Sequence, residues 1–240
     1  MRTGNKWWDE SWSPVTGCDK ISPGCANCYA EKMARRLQAM GQPKYANGFK
    51  VTTHVAELTR PLYWKKPKVV FVCSMADPFH KDVPFPFLHA MLSTMIATPW
   101  HTYMLLTKRP DRMFEFFHER ANMSPGLMQT DMVKHIWLGV SVESPKYLPR
   151  VDILRRIPTT GKKYISYEPA LEYVNWDFSL AAIDLLIAGG ESGPKHRPDD
   201  PGWYRDTAMQ CSEAEVSFFM KQMAGRKPIP KDLMIREWPE

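Results

Sequence analysis

The stretch VVFVCSM (69–75) is an apolar run of β-branched and aromatic residues that ends in Cys73 and Ser74. A run this short, apolar at each position instead of every second one, predicts a strand buried on both faces. The same pattern recurs in TYMLLTK (102–108), IWLGVSV (136–142), KYISYEP (163–169), DLLIAGG (184–190) and VSFFMKQ (216–222), with a weaker candidate in KVTTHV (50–55). Between them, FLHAMLSTMIA, DRMFEFFHERA, YLPRVDILRRI and WYRDTAMQCSEAE carry helical patterning. Strands alternating with helices predict a parallel sheet with right-handed crossovers. Six or seven such units predict a single α/β domain, a full or partial parallel (β/α) barrel, with a doubly wound open sheet as the alternative.

The ends of these runs predict a site. Each finishes in polar or small residues: Ser74 and Asp77; Thr107, Lys108 and Arg109; Ser141, Glu143 and Ser144; Ser166 and Glu168; Gly189, Gly190, Glu191 and Ser192; Lys221 and Gln222. In a parallel barrel such positions converge on the C-terminal mouth, where ligands bind. Glu191 follows two glycines that let backbone approach a ligand. Glu143 and Glu168 are similar, with a helix cap or structural ion pair as their plainer reading. Lys108 and Arg109, just before Pro110, suit a carboxylate or phosphate, or a solvated helix entry. Ser74 and Asp77 stand where an early strand meets its loop.

The chain has five cysteines in 240 residues, and three of them, Cys18, Cys25 and Cys28, fall within TGCDKISPGCANCY (16–29). An odd count with a tight cluster argues against a secreted disulfide framework and for metal binding in a reducing, cytoplasmic setting. The turn at Pro23-Gly24 lets the thiols converge, and a helix expected after Cys28 would turn its positive dipole end toward an anionic group. Structural zinc normally takes four protein ligands, the fourth here drawn from His54 or His80. A 4Fe–4S cluster held by three thiolates keeps one iron open to chelate S-adenosylmethionine. Trp7, Trp8 and Trp12, upstream, are expected to screen the cysteines from water.

Net charge is +6 and the isoelectric point about 9.0, with basic pairs scattered from Arg35-Arg36 to Lys195–Arg197. Such a surface favours phosphate-bearing partners or simply confers solubility. The uncharged stretch Val83 to Thr107 is broken by Pro84, Pro86 and Pro99 and diluted by histidines, so no membrane span is expected.

TGCDKISPGCANCYAEKMARR, FVCSMADPFH, LLTKRPDRM, WLGVSVES, ISYEPAL, AGGESGP with HRP, and FFMKQMAG together resemble the signature blocks of a phage and prophage family of three-cysteine-motif, radical-SAM-like proteins. The resemblance runs nearly the whole chain and implies one radical-SAM-like domain over 1–240, with a cluster-binding segment at 1–48 and a barrel at 49–240. It implies that Cys18, Cys25 and Cys28 hold a 4Fe–4S cluster, with S-adenosylmethionine as second cofactor near Ser74, Asp77, Glu143, Glu168, Gly189, Gly190 and Glu191. The C-x6-C-x2-C spacing departs from the commoner C-x3-C-x2-C, and Gly189-Gly190-Glu191 comes late in the chain. The implied activity is radical isomerisation of N-linked to C-linked glycyl-thymidine in phage DNA, a hypermodification that protects it from host restriction. Lys108 or Arg109 would hold the glycyl carboxylate, and an electron donor is a required partner. The alternatives are repair or modification of another nucleotide, and a zinc-stapled nucleic-acid-binding module without catalysis.

Overall fold

The computed structural model describes residues 6–124 and 126–240; residues 1–5 of the expected segment 1–48 lie outside the described residues. Its strands are β1 (Glu10–Trp12), β2 (Val15–Thr16), β3 (Thr52–Thr53), β4 (Val69–Val72), β5 (Thr102–Thr107), β6 (Ile136–Ser141), β7 (Lys163–Tyr167), β8 (Leu185–Gly189) and β9 (Ser217–Gln222). The helices are α1 (Tyr29–Ala39), α2 (Phe85–Ile96), α3 (Pro110–Met123), α4 (Pro149–Arg156) and α5 (Pro201–Glu213). Proline stands in the first turn of α2, α3, α4 and α5, where its missing N–H costs nothing and its fixed φ favours helix entry.

Seven strands join in one sheet in the order β1-β4-β5-β6-β7-β8-β9, and every pair is parallel. The order follows the chain without reversal, which excludes a doubly wound sheet, where the order turns back at a switch point. A sheet wound in one direction curls, and here its two edge strands, β1 and β9, do not pair with each other. The fold is therefore a partial (β/α) barrel in one α/β domain.

Alternation along each strand sorts the core into two layers. Val70, Val72, Leu105, Leu138, Val140, Ile165, Leu186, Phe218 and Met220 share the outer layer with Leu88, Met91, Phe117, Leu154 and Tyr204 of the helices. The intervening residues Val69, Met104, Trp137, Tyr164, Leu185, Ile187 and Phe219 fill the inside together with Trp7. Gly139 makes this possible, because a Cβ there would lie 2.4 Å from the Tyr164 ring.

Two elements differ from expectation. Of KVTTHV only Thr52–Thr53 pairs, antiparallel to β2 and outside the barrel. Its residues are polar and half-buried, unsuited to a wall covered on both faces. The edge strand β1 carries no apolar run, having Glu10 and Ser11, yet it pairs with β4 and brings part of segment 1–48 into the sheet. No helix among the described residues is long and apolar enough to cross a membrane.

Candidate functional site

The inward positions beyond the apolar filling open into a cavity of about 630 Å³, within the size range of small-ligand and cofactor sites. Cys18, Cys25 and Cys28 line it together with Ser74, Asp77, Lys108, Arg109, Ser141, Ser166, Glu168, Gly190, Glu191 and Lys221. The cysteine loop thus meets the strand ends at one mouth. Glu143 lies behind this lining with its side chain wholly buried, and Gly189 backs the Glu168 carboxylate, since a Cβ there would lie 2.9 Å from Oε1.

Three strand-end acids hold the cysteine loop in place. Asp77 accepts from the Thr107 hydroxyl at 2.7 Å, the Phe79 and Lys108 amides at 3.0 and 3.2 Å, and the Arg109 guanidinium at 2.9 Å. Arg109, so fixed, donates to the Asp19 carbonyl at 3.3 Å and reaches the Cys18 sulfur at 3.5 Å. Glu143 accepts from Arg150 at 2.8 Å, from Lys108, and from the Ser22 hydroxyl at 2.5 Å. Its carboxylate fills the space that a side chain at Gly24 would need. Glu191 accepts from Asn27 at 3.0 Å and from the Arg197 amide and guanidinium at 2.8 and 2.5 Å, while Arg197 also donates to the Pro23 carbonyl at 2.9 Å. Burial opposes ionisation of Glu191, but these hydrogen bonds outweigh it and hold its carboxyl below the usual glutamate range. Tyr29, just past the last cysteine, donates to the Ser74 carbonyl, and the Ser74 hydroxyl is 2.7 Å from that of Ser11.

The three loop thiols are free and half-buried, whereas Cys73 and Cys211 are buried. Burial pushes the latter two up to about 12 and, with the Asp77 charge, Cys18 up to about 11. At Cys25 burial acts the same way, but backbone hydrogen bonds at Ile21, the Ser22 hydroxyl and the Lys108 charge lower its pKa overall. Arg109 and Lys108 thus bring positive charge to two of the three sulfurs. His54 is tied to the Thr16 hydroxyl at 2.8 Å, and buried His80 to Asp19 at 2.9 Å. Among the described residues no three His, Cys, Asp or Glu side chains converge as a single metal ion requires. The three half-buried loop thiols face the cavity beside cations, with the buried Cys73 also in its lining, and they fit a larger anionic group that keeps a coordination position open.

The rest of the cavity is a polar wall over an aromatic floor. Lys221 pairs with Glu168 at 2.7 Å, and the Ser166 hydroxyl donates to the same carboxylate at 3.3 Å. Trp8, Phe71 and Leu106 line the floor. Trp7 packs in the inner apolar layer and Trp12 in the outer one, so of the three tryptophans expected near the cysteines only Trp8 reaches the cavity. Sequence reading missed Ser22, Asn27, Arg150 and Arg197 as holders of the loop. Asn27 and Ser22 sit inside the cysteine motif itself, the one signal that pointed to them.

The sheet order, the one-way winding and the mouth under a cysteine loop define a partial parallel (β/α) barrel whose site lies at the C-terminal ends of its strands. The chain belongs to the family described as a protein of unknown function (DUF5131), whose model matches residues 2–233. Similar solved structures include a cysteine-to-serine variant of spore photoproduct lyase, with TM-score 0.54, 12% identity, and coverage of 89% of this chain and 76% of that one. Another is a double variant of that lyase with bound AdoMet and dinucleoside spore photoproduct, with TM-score 0.52, 11% identity, and coverage of 89% and 76%. A third is the lyase complexed with dinucleoside spore photoproduct, with TM-score 0.51, 11% identity, and coverage of 87% and 75%. At these identities the likeness is one of fold. No curated protein matches the chain.

Proposed function

We propose that this chain is a radical SAM enzyme that acts on a thymine-derived base carrying an amino-acid substituent in DNA. The observation that carries the reading is the meeting of Cys18, Cys25 and Cys28 with the inward strand ends in one cavity. Cys18, Cys25 and Cys28 would hold a 4Fe–4S cluster. When bound, that cluster and S-adenosylmethionine supply hydrogen-atom abstraction from an unactivated carbon, chemistry that protein side chains lack. The chain's own part is to fix the loop through Asp77, Glu143 and Glu191, to offset negative charge with Lys108 and Arg109, and to keep water from the floor with Trp8, Phe71 and Leu106.

A glycyl α-hydrogen suits this chemistry, because the amino and carboxyl groups both stabilise the resulting carbon radical. Moving the attachment of the thymine methylene from nitrogen to the α-carbon changes no oxidation level, which matches an isomerase. The net charge of +6 suits a polyanionic substrate, whose binding then weakens as salt rises. A base in duplex must flip out to enter the mouth. The fold's likeness to a lyase solved with a dinucleoside photoproduct supports a nucleotide-sized ligand in such a barrel.

The test incubates anaerobically reconstituted protein, reductant and S-adenosylmethionine with DNA containing N-linked glycyl-thymidine, followed by digestion to nucleosides. A product of unchanged mass and shifted retention is expected. Formation of 5′-deoxyadenosine only with another damaged or modified nucleotide moves the assignment to repair or modification of that nucleotide. Stoichiometric zinc after reconstitution with iron and sulfide removes the enzyme reading.

A further inference from the structure

The cations that the sequence offered for a substrate carboxylate are engaged elsewhere. Lys108 is bound to Glu143, a wholly buried side chain, and Arg109 to Asp77, to the Asp19 carbonyl and to the Cys18 sulfur. Lys6 and Arg226 line the cavity from exposed positions at its rim. Lys221 differs from all four. It projects from the inner face of β9, its side chain is 23% exposed, and its ion-pair partner Glu168 faces the same cavity.

We infer that the Glu168–Lys221 pair is the binding site for the amino-acid-like substituent of the substrate base, with Lys221 taking its carboxylate and Glu168 its amine. This rests on the substrate class proposed above. An ammonium has three donors, and Glu168 uses one of them. The Glu168 carboxylate keeps acceptor capacity beyond Lys221 and Ser166, and Gly189 leaves it room. The pair therefore offers opposite charges side by side, complementary to a group that carries both. Its position favours the substrate over the cofactor: the Lys221 ammonium lies 5.8 Å from the centre of the Trp8 ring, beside the flat apolar floor that suits a nucleobase. The wall of β7 and β9 holds this pair, whereas the three acids that hold the cysteine loop leave from other points on the mouth.

Binding to the cluster-loaded protein tests the assignment, by equilibrium dialysis with glycyl-thymidine nucleoside, its neutral glycinamide counterpart and thymidine. Wild type is expected to prefer the glycyl nucleoside over the glycinamide by about tenfold or more, the scale of one charged hydrogen bond. Lys221→Met combined with Glu168→Gln, which removes both charges and leaves neither uncompensated, should abolish that preference, while Lys221→Arg should keep part of it. Iron content and melting temperature report that the variants are folded. If the folded double variant keeps the preference, the inference falls and the substrate reading stands. If the variant loses affinity for S-adenosylhomocysteine instead, the pair serves the cofactor's methionine end and the inference is overturned. If wild type fails to distinguish glycyl-thymidine from thymidine, the substrate reading itself falls and takes the pair's role with it.

Discussion

The two ends of the barrel's inner wall are made by the same strands and have opposite character. At the N-terminal end Met104, Trp137, Tyr164, Leu185 and Phe219 close into a dry plug. A few residues further along those strands stand Lys108, Glu143, Glu168, Glu191 and Lys221, charged and hydrogen-bonded. One end spends its side chains on packing, the other on holding a loop and leaving a cavity. Substitutions in the plug should therefore change stability without touching metal binding, and substitutions of the loop cysteines at the mouth should do the reverse.

The largest expected effect is at the loop. Replacing any one of Cys18, Cys25 or Cys28 by alanine should abolish the iron content and visible absorbance of the reconstituted protein while the melting temperature of the metal-free protein hardly moves. Cys73→Ala and Cys211→Ala should keep the iron. Next comes Glu143→Gln, which sits where the two characters meet. Losing this carboxylate leaves Arg150 and Lys108 uncompensated, at a cost of about 3–5 kcal/mol, and frees Ser22, so iron should be lost faster to a chelator. A chelation rate equal to wild type would break the link between this acid and the loop.

In the plug, Gly139→Ala forces a methyl into the Tyr164 ring and should destabilise the fold by about 1–3 kcal/mol in a denaturant titration, with iron stoichiometry unchanged. The smallest change is Tyr164→Phe. It removes the hydroxyl that donates to the buried Leu105 carbonyl at 3.0 Å, worth about 1 kcal/mol, again without effect on iron. A loss of iron in either plug variant would show that the two ends are coupled and would break the division drawn above.

The division also explains what was legible beforehand. Strands β4 to β9 stand out because burial on both faces writes a continuous apolar run, and their alternation with helices left few topologies to choose from. Strand β1 writes no such run, since one edge of it is open and Ser11 and Glu10 suffice. The convergence of strand ends follows from a parallel barrel alone. What each acid does at the mouth does not. Glu143 is 121 residues from Ser22 and Glu191 is 164 from Asn27, and contacts at such separations leave no period or spacing to read. Contacts distant in sequence also hid the engagement of Lys108 and Arg109, whose acid partners lie 35 and 32 residues away and which, as a basic pair at a strand end, looked available to a ligand.

The unpaired edges of the sheet have one more consequence. Where β1 and β9 fail to join, the wall is completed by side chains: Trp8 lies against Phe71 of β4, with ring centres 5.3 Å apart, and near the Lys221 ammonium of β9. A wall of ladder hydrogen bonds widens only by breaking them, but a seam of two tilted rings and one ammonium can give by rotating a few torsions. Any widening of the interior is therefore cheapest beside Trp8, where it leaves the six strand pairings of the sheet intact.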